Sequence, residues 1–74
     1  MAWSINQDRN TGGWYVLNTE TGTKYYAGDP GAAISDAIRE GNMPASLRAT
    51  LLAAAKDIVD QQNATLAQIG RAHV

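Results

Sequence analysis

A side chain does chemistry when a nucleophile or base stands beside groups that tune and orient it. This chain has three serines, Ser4, Ser35 and Ser46, no cysteine, and a single histidine, His73, next to its last residue. None of the serines has a sequence neighbour that would activate it. The seven acids are spread along the chain, with no close pair of the kind a cation site or a glycosidase needs. Asp57 and Asp60 are one helical turn apart on a polar face, the usual arrangement of a solvated surface. The stretch GDPG at 28–31 could hold an anion on free helix N–H groups, but Asp29 itself fills that place and would repel phosphate. TGG at 11–13 lacks the Lys-Ser/Thr that follows a phosphate loop, so it reads as a turn. We therefore expect no catalytic residue, no cofactor and no metal, and a protein that is not an enzyme.

The chemistry that remains is aromatic: Trp3, Trp14, Tyr15, Tyr25 and Tyr26. Two turn signals, DRNTGG at 8–13 and NTETGT at 18–23, divide the segment that carries them. They are one turn written twice. Each opens with Asp or Asn, whose side chain can bond backbone two residues on, and each has Thr-Gly at matching places, with Gly12 or Gly22 free to take positive φ. Runs of aromatic and β-branched residues flank them, giving strands at about 2–7, 14–18 and 23–27.

If each loop closes its hairpin directly, Ile5 faces Val16, Val16 faces Tyr25, and Tyr15 faces Tyr26. Facing residues share a side of the sheet. One side then carries Trp3, Ile5, Trp14, Val16, Tyr25 and Ala27; the other carries Ser4, Asn6, Tyr15, Leu17, Lys24 and Tyr26. The first is the more apolar and should meet the core. The second leaves Tyr15, Leu17, Lys24 and Tyr26 as the candidate binding residues, because rigid amphipathic rings supply contact area at low entropic cost.

Two helices must cover the apolar side. GDPGAAISDAIREG has Asp29 as N-cap, Pro30 at the first helical position and Gly41 as stop, giving a helix at about 30–40. Ala33, Ile34, Ala37 and Ile38 form its stripe. A second helix at about 44–67 starts near Pro44 and puts Leu47, Leu51, Ala54, Ala55, Ile58 and Val59 on one side, with Thr50, Lys56, Asp57 and Asp60 opposite. The expected fold is α+β: a three-stranded antiparallel β-meander followed by two α-helices packed on one face, ordered βββαα, as one domain over 1–68.

Residues 3–30, around WYVLNTETGTKYYAGDP, resemble a WW domain: a leading Trp, an Asx/Gly loop, an aromatic second strand ending in Asn, a Thr-containing second loop, an aromatic third strand and a following Pro. The resemblance gives Trp3, Asn18, Thr21 and Pro30 structural places. It puts Tyr15 and Tyr26 where that family pinches a proline of an extended ligand. The second signature Trp is here Tyr26, and Val16 stands in place of an aromatic.

The tail resembles a sequencing adapter translated in one frame, over Ile69–Val74 and two bases of the Gln68 codon. On that reading residues 69–74 are non-native, Arg71 and His73 carry no biological information, and the native frame continues beyond Ala67.

A formal charge of -1 gives no electrostatic footprint for nucleic acid. The N-terminus lacks a basic region followed by an apolar stretch, and no apolar run is long enough to span a bilayer, so a cytoplasmic protein without membrane contact is expected. At 74 residues the chain is near the lower size for a self-sufficient core, which leaves a homo-oligomer open. Three functions follow in order. The first is a non-catalytic protein- or peptide-binding module using the open sheet face. The second is a structural or assembly subunit self-associating through the Ala-rich second helix, and the third a phage or mobile-element accessory protein inhibiting a host complex, like an anti-CRISPR.

Overall fold

A computed structural model describes the backbone of residues 2–72 and the side chains of residues 2–64. Three strands, β1 (Trp3–Gln7), β2 (Trp14–Asn18) and β3 (Lys24–Ala27), form one antiparallel sheet in the order β1-β2-β3. Helix α1 (Pro30–Gly41) follows, then one 3₁₀ turn (Ala45–Leu47), then α2 (Arg48–Ala72). This is the expected α+β, βββαα arrangement. The reading of a non-native tail concerns residues whose side chains, and for His73 and Val74 the backbone too, lie outside the described residues.

The two hairpin turns share one backbone pattern. Asp8 N–H donates to the Gly13 carbonyl and Gly12 N–H to the Asp8 carbonyl, both at 2.8 Å; Asn18 N–H donates to Thr23 at 2.9 Å and Gly22 N–H to Asn18 at 2.7 Å. The Asp8 carboxylate accepts from Asn10 N–H as the Asn18 side-chain carbonyl accepts from Glu20 N–H. Thr11 Oγ1 and Thr21 Oγ1 each accept from the N–H two residues on. Gly12 and Gly22 close the loops at φ 76° and 77°, a region an L side chain enters only with strain.

With both turns set, the register follows: Ile5 opposite Val16, Val16 opposite Tyr25, Tyr15 opposite Tyr26. The side bearing Ile5, Trp14 and Val16 is buried beneath α1 and α2, with Trp3, Tyr25 and Ala27 half-buried around it. From α1 come Ala33, Ile34 and Ala37, and from α2 Leu51 and Ala55. Val16 and Ile34 are wholly enclosed, and burying side chains of that size stabilises the fold by about 1.5–3 kcal/mol each.

α1 begins as its sequence dictates: Asp29 Oδ1 accepts from Ala32 N–H at 2.8 Å, with Pro30 in the first turn. It ends differently. Gly41 is the last helical residue, and the left-handed cap is Asn42 at φ 56°; the N–H groups of Asn42 and Met43 both donate to the Ala37 carbonyl. Gly41 is needed for another reason. A Cβ there would stand 2.6 Å from the Tyr25 hydroxyl oxygen and 2.7 Å from its ring carbon Cζ, so the ring lies across the bare backbone of the last turn. Met43, next after the cap, is turned inward and buried.

The second helix also starts later than expected. Pro44 stays extended at ψ 129°, its carbonyl takes Leu47 N–H in a 3₁₀ turn, and regular α-geometry begins at Arg48 and continues to Ala72. Val59, expected on the buried stripe, is 36% exposed. One residue after the half-buried Ile58, it is rotated by about 100° around the axis and clears the sheet.

Candidate functional site

The side of the sheet away from the helices brings the four candidate residues into one cluster. Tyr15 and Tyr26 are direct cross-strand partners, and Leu17 pairs with Lys24 in the next rung. Because β2 is central, Tyr15 and Leu17 also face Asn6 and Ser4 of β1. The Tyr15 and Tyr26 ring centroids are 5.3 Å apart at a tilt of 43°, inside the range of favourable aromatic contact. Lys24 Nζ lies 5.1 Å from the centroid of the Tyr15 ring, close enough for cation–π attraction worth about 0.5–1 kcal/mol at an exposed site.

Tyr15 is thus flanked by a cation and a second ring, and both neighbours are more exposed than it is. Tyr15 and Leu17 are half-buried, Lys24 is exposed, and Tyr26 is 55% exposed, the most exposed large hydrophobic side chain described. A ring inserted between two others needs their centroids about 7 Å apart, twice a van der Waals contact. At 5.3 Å the tyrosines are already in contact, so a flat apolar group can only lie across the pair.

The other groups with chemical capacity are placed apart. Ser35 and Ser46 are exposed on separate elements, and Ser4 is half-buried on the open face. Asp29 is committed to its cap. Asp57 and Asp60 are exposed on α2. Among the described residues no group of three or more histidines, cysteines or acids could hold a metal ion, and no polar or charged side chain is buried. No described helix is long and apolar enough to cross a membrane.

One polar contact was not anticipated. Gln62 Nε2 of α2 donates to Gln7 Oε1 at the end of β1, and Gln7 Nε2 donates to the Gly12 carbonyl at 3.2 Å, tying the long helix to the first turn. The partners are 55 residues apart. The available signal was helical phase, since Gln62 follows Ile58 by four residues on the sheet-facing side of α2.

The fold and this face define a small α+β domain whose sheet is sealed by helices on one side and presents an aromatic and cationic cluster on the other. No protein-family model, curated protein or solved structure gives a significant match to the chain.

Proposed function

We propose that the chain is a non-catalytic binding module that docks an extended segment of a protein or peptide across Tyr15 and Tyr26, with Leu17 and Lys24 completing the contact surface. The observation that carries this reading is the exposed Tyr26 ring packed on Tyr15, with the Lys24 ammonium also within reach of the Tyr15 ring. The core does not need the pair. A ligand with a flat apolar group, proline above all, gains ring contact there, and an acidic group beside it meets the Lys24 ammonium. Both rings are held by neighbours before binding, so little side-chain freedom is lost on docking.

Selection of random displayed peptides on the whole chain, followed by titration of an enriched peptide into isotope-labelled protein, tests this. Amide shifts should centre on Tyr15, Leu17, Lys24 and Tyr26, and Tyr15→Ala combined with Tyr26→Ala should abolish them while the far-UV circular dichroism is retained. Shifts centred on α2 would instead favour an assembly subunit, a reading that draws on Leu52 and Val59, exposed and seven residues apart on that helix.

A further inference from the structure

We infer that two copies of this chain associate through the outer edge of β3, forming a continuous six-stranded sheet about a two-fold axis. β3 has a strand on one side only. The hydrogen bond from Asn18 N–H to the Thr23 carbonyl sets the alternation between β2 and β3, so Val16–Tyr25 and Trp14–Ala27 are the bonded rungs that follow. The backbone N–H and C=O groups of Lys24 and Tyr26 therefore point the other way, to the sheet edge. Such an edge is a template for a further strand.

The edge is self-complementary, as a two-fold interface requires. If β3 meets its copy antiparallel with Tyr25 beside the copy's Tyr25, then Lys24 pairs with the copy's Tyr26, and Tyr26 with the copy's Lys24. Both are bonded rungs, giving four inter-chain backbone hydrogen bonds. Both residues stand on the open face, so each ammonium meets a partner's exposed ring. A lysine on an edge ordinarily discourages pairing, but in this register it faces a π-surface and not another charge. Sliding the register by one rung to either side sets either Lys24 or Tyr26 against its own copy. Gly28 follows β3 directly and Gly22 stands two residues before it; both are exposed and carry no side chain to add bulk beside an approaching backbone. The axis is perpendicular to the sheet, which keeps the helices of both copies on one side and joins the two aromatic clusters on the other.

Sedimentation equilibrium of the whole chain over micromolar to millimolar concentration reads the association directly. The mean mass should climb from 7.9 kDa towards twice that value. Tyr26→Lys sets lysine against lysine on both rungs and should weaken association by about tenfold or more. Exchanging the two residues, Lys24→Tyr with Tyr26→Lys, should restore it, which a Tyr26-on-Tyr26 register would not allow. The exchange removes the Tyr15–Tyr26 pair, so loss of peptide docking with association retained separates this inference from the proposed function. Chemical synthesis with N-methyl-Lys24 keeps every side chain and every bond to β2 while removing the outward donor from both rungs, and should leave a monomer. A wild-type monomer at about 1 mM, or a dimer that survives N-methylation at Lys24, would overturn the inference.

Discussion

The two sides of one three-stranded sheet differ in what their neighbours ask of them. On the covered side Ile5, Trp14 and Val16 meet Ile34, Ala37, Met43 and Leu51 in a closed core, where each contact is shared with several residues from other elements. On the open side Tyr15 touches Tyr26 and Lys24, and Tyr26 gives more than half of its surface to solvent. The same strands, in the same register, thus hold one set of side chains whose removal leaves a cavity and another whose removal leaves solvent. Stability belongs to the first side, and the binding we propose is assigned to the second.

Substitutions can break this contrast. The largest effect is expected from Ile34→Ala, which empties a fully enclosed site and should cost about 2–5 kcal/mol, measured by urea denaturation followed by circular dichroism. A loss under 1 kcal/mol would mean that the covered side is not a packed core. Gly12→Ala and Gly22→Ala come next, at about 1–2 kcal/mol each, because both force a Cβ into the left-handed region. Their costs should be close, since the two turns share the same backbone bonds, and a clear inequality in the same assay would trace to the side-chain bonds in which they differ, such as that of Gln7 to the Gly12 carbonyl. Asp29→Ala, which removes the cap of α1, should cost about 1 kcal/mol by thermal melting. Tyr26→Ala should have the smallest effect, about 0.2–1 kcal/mol by urea denaturation, because it removes one cross-strand contact and buries no void. A loss as large as that of Ile34→Ala would erase the distinction between the sides.

The elements that could be read without coordinates are those closed by short-range bonds. Asx and Thr side chains bonding two residues on, glycines at positive φ and the Asp29 cap act within five residues, so sequence carries them almost whole. The two-fold alternation of strands then extends this local knowledge across the sheet, and the pairing of Tyr15 with Tyr26 follows from turn length alone. What could not be read that way is how close those two rings come, and that Lys24, paired across the strands with Leu17, brings its ammonium to the Tyr15 ring. Those distances depend on side-chain torsions that residue type leaves free.

By itself, then, the sequence determined the meander, its register, the start of α1 and which residues share each side, because turn chemistry, capping and periodicity are local. Tertiary structure decided the rest. Gly41 is bare because the Tyr25 ring crosses it, the cap passes to Asn42, Met43 is buried, Val59 is turned out, and Gln62 reaches Gln7. Each of these outcomes depends on where one packed element ends relative to another, a distance set by close packing between residues far apart in the chain and not by the propensities of the residues themselves.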